Sequence, residues 1–196
     1  MTPATRSVRA ALAAAFALAV LLAPAASAEV FKARMLTGMA PVEPPMVNVQ
    51  MEVTGWTTLE EIRQFQDVLS SAGIDAFLAA FNQADKGTVR FMTTRGWNLP
   101  IHAAVVVPDD KGGKVVRLFF NRQSWNPGSY KPVGRHYFMA IELKLNEKGK
   151  GEGRFYEDAQ LKLNSLAATV EIETYESAPK LFPQVQEVVK KADAKK

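Results

Sequence analysis

The chain has 196 residues, 24 Lys and Arg against 20 Asp and Glu, two histidines and no cysteine. The lack of cysteine excludes disulfides, thiolate catalysis and a lipid anchor attached to a cysteine after a leader. Bases and acids are mixed along the sequence, and this pattern does not predict nucleic-acid binding, which requires several cations clustered on one face.

The N-terminal segment has the features of a secretory signal peptide. Arg6 and Arg9 precede an apolar run from Ala10 to Ala23, and Ala26-Ser27-Ala28 forms an A-x-A cleavage pattern. The apolar run is shorter than the ~20 residues of a membrane-spanning helix. We therefore expect cleavage after Ala28 and a periplasmic or secreted product with no integral membrane segment, with an uncleaved N-terminal anchor as the alternative.

The rest of the chain has the length of one domain. Residues 29–189 contain no linker-like stretch, and ~100–200 residues is the usual size of a single domain. Residues 190–196 are rich in lysine. We expect a disordered, solvated tail there rather than a segment that binds polyanions.

Two strands are predicted at the start of this domain. Met46 to Thr54 alternates apolar and polar side chains, as expected for a half-buried antiparallel strand, and Glu29 to Leu36 forms the strand before it. Pro41, Pro44 and Pro45 lie between them. We interpret these prolines as a rigid connection, with a polyproline recognition segment as the alternative.

A helical pair follows the second strand. Thr57 with Glu60 and Thr58 with Glu61 form overlapping capping boxes at its start. Apolar residues then recur at helical spacing on both sides of Gly73, which predicts one helix ending near that glycine and a second short helix after it. The positions are Leu59, Ile62, Phe65 and Leu69, then Ile74, Phe77, Leu78 and Phe81.

The remainder of the domain has strand character. Strands are predicted over Thr88–Thr93, Ile101–Val107, Lys114–Phe120, Tyr137–Leu145, Gly153–Leu163 and Thr169–Tyr175. Pro179–Val189 fits either a strand or a short helix. The predicted class is mainly β (α+β), an antiparallel sandwich or barrel of roughly eight strands with a short inserted helical pair.

A glycine-rich stretch, IELKLNEKGKGEGRF from Ile141 to Phe155, resembles a phosphate loop at first sight. A phosphate loop requires Ser or Thr after Gly-Lys and a helix behind it, and neither is present. We therefore predict a hairpin turn over Asn146–Gly151, with a positive φ at Gly149 or Gly151. Gly153 is predicted to mark a bulge or a close backbone approach.

Three blocks of the sequence carry a resemblance: GWTTLEE, HYFMAIELKLNEKGKGEGRF and VEIETYESAPKLFPQVQEV. They are similar to a family of small exported bacterial proteins, common in Acidobacteria, with a Trp-Ser/Thr-x-x-Glu-Glu helix start and an IELRL strand entering a GKGEG turn. The similarity extends from about Val30 to Val189 and departs around Arg122 to Arg135, where members more often have an acidic segment with Asp-Tyr-Pro. That family has no assigned activity, so the resemblance implies no site residues.

Catalytic and metal sites have little support in the sequence. His102 and His136 lie in separate elements without a second ligand at metal-binding spacing, and His102 is predicted at the rim of a strand. No G-x-S-x-G motif is present. A carboxylate pair for hydrolysis could be assembled only by the fold, from strand residues such as Glu52, Glu142, Glu157 and Asp158. No catalytic residue, metal or cofactor is assigned.

Aromatic and arginine residues in two predicted loops are the candidate binding residues. They are Arg95, Trp97, Arg122, Trp125, Tyr130 and Arg135. Such side chains on loops bury large rigid areas against a ligand or a partner at low entropic cost. The alternative is that each tryptophan folds back over the sheet edge and covers the core.

The leading functional hypothesis is a non-catalytic exported binding protein of the cell envelope. It would take a small apolar ligand or a protein partner between the helical pair and the Arg/Trp loops. One alternative is a hydrolase that uses carboxylates or a histidine assembled across strands. Another is a structural or stress-response envelope protein.

Overall fold

The computed structural model describes residues 28–37, 46–93, 96–122 and 136–188, which form ten strands and one helix. The strands are β1 Glu29–Leu36, β2 Met46–Val53, β3 Gly87–Phe91, β4 Trp97–Ile101, β5 Ala103–Pro108, β6 Lys114–Asn121, β7 Phe138–Leu145, β8 Lys150–Asn164, β9 Thr169–Tyr175 and β10 Lys180–Val188. The helix, α1, is Leu59–Gln83. The predicted signal peptide up to Ser27, the proline loop and the basic tail lie outside these ranges.

All ten strands belong to one antiparallel sheet. Its order is β4-β3-β2-β1-β10-β8-β7-β6-β5, and β9 pairs with β8. The edge strands β4 and β5 follow one another in the chain and are separated by His102 alone, and β4 also lies against β6. The sheet is therefore strongly curved but not closed. The predicted mainly β, antiparallel α+β class is confirmed, in its open, sandwich-like form.

The curved sheet has a packed core on each face. The inner core, enclosed by the curve, contains Phe31, Met51, Phe91, Phe155 and Phe182 among other fully buried side chains. The outer core lies beneath α1 and contains Ile62, Phe65, Phe77, Phe81, Phe138 and Tyr156. Where α1 covers the sheet, both of its faces therefore pack against a hydrophobic core.

The start of α1 is fixed by the two threonines that the sequence singled out. Thr58 and Glu61 form a reciprocal capping box, with the Glu61 N–H donating to Thr58 Oγ1 at 3.2 Å. Thr57 forms no second box; its Oγ1 accepts from the Ala104 N–H of β5 at 2.9 Å. The helix start is therefore attached to the sheet. No helix among the residues that the structure describes is long and apolar enough to cross a membrane.

Gly73 separates the two predicted helices. Its φ of 81° and ψ of −173° interrupt α1, and this region of backbone space is accessible almost only to glycine. Phe65 lies before the break and Phe77 after it, and both are buried in the outer core. The predicted helical pair is thus present as the two segments of α1 on either side of Gly73.

The glycine-rich stretch is a hairpin turn, as predicted. Asn146 Oδ1 accepts from the Lys148 and Lys150 N–H groups, and Gly149 has a φ of 68°. A Cβ atom at Gly153 would lie 2.7 Å from the Glu142 carbonyl oxygen. Close backbone approach therefore requires glycine there.

Two local predictions were wrong. Trp97 belongs to the edge strand β4 rather than to a loop, and an edge strand tolerates Pro100 because its outer side needs no ladder hydrogen bond. His102 is 5 % exposed rather than at a rim, because the chain passes beneath α1 between β4 and β5. The last element, for which the sequence allowed a strand or a short helix, is the strand β10, and a bulge between Phe182 and Val185 interrupts its alternation.

Candidate functional site

An apolar cleft lies between α1 and the sheet at the break in the helix. Its volume is about 320 Å³. The helix contributes Leu69, Ile74 and Phe77, and the sheet side contributes Tyr137, Phe138, Gln160, Leu161 and Leu163. Concave sites of roughly 300–1,000 Å³ lined by apolar side chains with few polar groups are typical of small-molecule binding.

The break at Gly73 shapes the helix side of the cleft. Leu69 precedes the break and Ile74 follows it, and both line the cleft. Leu69 is 38 % exposed although it is a large apolar residue. An unbroken helix would keep one axis through this point. The backbone angles of Gly73 therefore determine the directions in which the two helical segments pack on the sheet.

A cluster of aromatic rings forms the back wall. Phe77 meets Phe138 of β7 with ring centroids 5.9 Å apart and meets Phe65 edge to face at 5.7 Å. Phe77 and Phe138 are 2 % and 3 % exposed. Rings held on several sides make a rigid surface, so this wall is formed before any ligand arrives.

A bulge in β8 forms the sheet side. Between Phe138 and Ala140, β7 advances two residues while β8 advances from Ala159 to Tyr156, which is three. The extra residue reverses the alternation of β8. Consequently Tyr156 packs in the outer core on one side of the bulge, and Leu161 and Leu163 pack against the same core on the other.

A chain of polar side chains reaches one rim of the cleft at Gln160. Thr174 Oγ1 donates to Gln160 Oε1 at 3.3 Å, and His136 Nε2 lies 3.3 Å from the same hydroxyl. Because the Thr174 proton is used toward Gln160, His136 must donate through Nε2. His136 Nδ1 lies 2.9 Å from Glu176 Oε1, so the polar chain continues to a carboxylate.

Arg122 is held near the same rim. Its backbone N–H donates to the Tyr137 carbonyl at 3.0 Å, and its Nη2 lies 3.9 Å from Asp158 Oδ2. Asp158 is buried and accepts from Ser177 Oγ at 2.6 Å. Arg122 is therefore joined through its backbone to a cleft residue, Tyr137.

The predicted binding residues are only partly located. Arg122 lies near the cleft, whereas Trp97 lies on β4 and packs, half-buried, against the inner core on the other face of the sheet. Arg95, Trp125, Tyr130 and Arg135 lie outside the described residues. Of the cleft residues, Leu69 and Ile74 were predicted only as apolar helix positions, and Leu161 and Leu163 only as part of a strand.

The candidate carboxylates are not gathered around the cleft. Glu142 pairs with Arg117 at 2.8 Å, and Glu157 pairs with Lys180 at 3.0 Å. His102 Nδ1 donates to the Ala84 carbonyl at 2.8 Å, against the Phe81 ring. The described contacts of these groups join neighbouring elements to one another. No family model, curated protein or solved structure matches this chain.

Proposed function

We propose that the protein is a non-catalytic binding protein that holds a small apolar ligand in the cleft beside Gly73. The observation that carries this proposal is the cleft itself, about 320 Å³ in volume and lined on both walls by apolar side chains. A cleft of this kind, with one polar rim, is the arrangement that small-molecule sites use.

The distribution of polar atoms indicates how the ligand is oriented. Gln160 and Tyr137 are the residues of the lining that carry polar side-chain groups, and within the described residues the Tyr137 hydroxyl makes no hydrogen bond. The opposite wall is formed by Ile74 and Phe77. A ligand with an aliphatic or aromatic body and one neutral polar end would bury the body and leave the end at this rim.

The leader pattern supports a place in the cell envelope or outside the cell. Arg6, the apolar run that follows it and the A-x-A ending before Glu29 are the basis for this part of the proposal. A protein exported to that compartment meets apolar molecules that are poorly soluble in water. A preformed cleft would carry such a molecule at low cost, because no backbone ordering is needed on binding.

The test is native mass spectrometry on protein expressed from the full sequence in its own host. We expect a discrete mass adduct that is lost on denaturation. Leu161→Trp fills the cleft and should remove the adduct, whereas the same change at Leu166, which is 99 % exposed, should retain it. A bare protein mass, or an adduct that persists in Leu161→Trp, would contradict the proposal.

A further inference from the structure

A second concave surface lies on the outer face of β1, β2, β8 and β10. It is a shallow hollow of about 620 Å³. Its cationic side chains are Lys32, Arg34 and Lys150, and no carboxylate belongs to its lining among the residues that the structure describes. The β10 bulge between Phe182 and Val185 lies at its floor. The hollow is therefore positively charged as well as concave.

The strand register arranges these cations in a regular row. Arg90 of β3 pairs with Gln50 of β2, Gln50 with Lys32 of β1, Lys32 with Gln186 of β10, and Gln186 with Lys150 of β8. Neighbouring strands are about 4.8 Å apart, so a cation recurs about every 10 Å with an amide between each pair. Arg34 lies two residues after Lys32 on the same face of β1, where it pairs with Asn48 of β2 and Gln184 of β10.

Several other cations of the fold are paired with carboxylates. Lys86, Lys114 and Lys180 each contact a carboxylate within 3.2 Å. Lys32 and Lys150 make no ion pair with any described residue. Glu52 and Glu152 lie one row further along their strands and do not line the hollow. The row is consequently complementary to an extended anion.

From this geometry we propose that the hollow binds an acidic polysaccharide. Carboxylates repeated along such a chain pair with the lysines and arginines, and the amides of Gln50 and Gln186 hydrogen-bond its hydroxyls. Single-stranded nucleic acid requires aromatic side chains on which bases stack, and no aromatic residue lines the described part of the hollow. A membrane surface requires many exposed apolar side chains, and the described lining has only two, Met92, which is 56 % exposed, and Pro183.

The test is calorimetric titration of protein expressed from the full sequence with polygalacturonate, a chain of repeated carboxylates. We expect binding that weakens as salt rises, and no binding of the neutral chain dextran. The double variant Lys32→Gln/Lys150→Gln should bind about tenfold more weakly. The control Lys111→Gln/Lys148→Gln removes the same charge from two exposed turn residues and should stay within about twofold.

Two further measurements distinguish binding at this hollow from nonspecific attraction to the net charge of the protein. Gln50→Ala/Gln186→Ala leaves net charge unchanged and should still weaken polygalacturonate binding by about threefold, since hydroxyl contacts are lost. Equal binding by this variant and the parent, or by the two double-lysine variants, would overturn the proposal. Binding of duplex DNA as tight as that of polygalacturonate would do so as well.

Discussion

The ring of Phe77 on the helix meets the ring of Phe138 on β7, with centroids 5.9 Å apart and planes inclined by 68°. This contact joins the second half of α1 to the sheet and forms the back wall of the apolar cleft. The two residues are 61 positions apart in the chain, so the wall exists only in the folded protein. The cleft and the outer core therefore depend on the same side chains.

Phe77→Ala should destabilise the protein because it removes a ring that contacts Phe65, Phe81 and Phe138. Phe-to-Ala changes in well-packed cores cost about 3–5 kcal/mol. Urea denaturation measures the loss in the free energy of unfolding. Leu166→Ala, at a 99 % exposed position, is the control and should change it by less than about 0.5 kcal/mol. An equal effect of both changes would contradict the packing described.

Gly73→Ala should destabilise the protein through the backbone alone. A Cβ at Gly73 would meet nothing within 4 Å, but its φ of 81° with ψ of −173° is accessible almost only to glycine. The expected loss is about 1–3 kcal/mol. Gly55→Ala is the matched control, because Gly55 has no positive φ and its Cβ would only touch Lys86 at 3.9 Å. A Gly73→Ala variant as stable as Gly55→Ala would show that the break in α1 does not require glycine.

His102 should make the stability depend on pH. Burial lowers its pKa below 6.5, although the hydrogen bond to the Ala84 carbonyl and the Asp85 charge act in the opposite direction. The folded state therefore favours the neutral ring, and this contribution is complete above the unfolded pKa and is lost as pH falls through the folded pKa.

Unfolding free energies of the parent protein and His102→Gln, measured from about pH 7.5 down to about pH 5, test this prediction. The glutamine cannot titrate but keeps an N–H donor for Ala84. The parent should lose more stability than the variant over this range. Parallel curves would assign the pH dependence to other groups.

Lys114 of β6 contacts carboxylates on β1 and β10, two neighbouring strands that do not pair with β6. Its ammonium lies 2.9 Å from Glu187 of β10 and 3.2 Å from Glu29 of β1, and 5.6 Å from the centre of the Phe31 ring. Burial lowers the pKa of Lys114, but the hydrogen bonds that its ammonium donates to both carboxylates outweigh this effect and raise the pKa above 10.5. Lys114 is thus fully charged at neutral pH, and its contribution to stability is lost on the alkaline side as pH rises through that raised value.

Lys114→Met should cost about 1–2 kcal/mol, because two half-buried carboxylates lose their shared partner. Lys111→Met, in the exposed turn before β6, is the control and should be close to neutral. Thermal unfolding at neutral pH checks both. If added salt weakened the parent to the level of Lys114→Met, the contact would be a screened surface pair rather than a half-buried one.

Much of the fold could be predicted where one face of an element is buried. Phe31 and Met35 alternate with exposed Lys32 and Arg34, so periodicity alone predicts β1 correctly. Gly73 and Gly149 have positive φ angles, which glycine adopts without steric cost. The helix break and the hairpin were therefore also predictable from the sequence.

The parts that were missed depend on tertiary contacts. The bulge in β8 lets Tyr156 and Leu161 face the same side, and no property of the sequence marks the extra residue. The cleft is lined by both Leu69 and Leu163, although more than half of the domain separates them in the sequence. The row from Arg90 to Lys150 exists only through the register of five strands, which periodicity does not encode.

Ligand binding in the cleft is tested most directly by methyl NMR on protein purified from its own host with its ligand retained. Nuclear Overhauser effects from ligand protons should reach the methyl groups of Ile74 and Leu161, which line the cleft. They should not reach Leu181, which is 48 % exposed on β10. A ligand whose contacts lie at Leu181 or elsewhere on the surface, or a protein that retains none, would contradict the proposal.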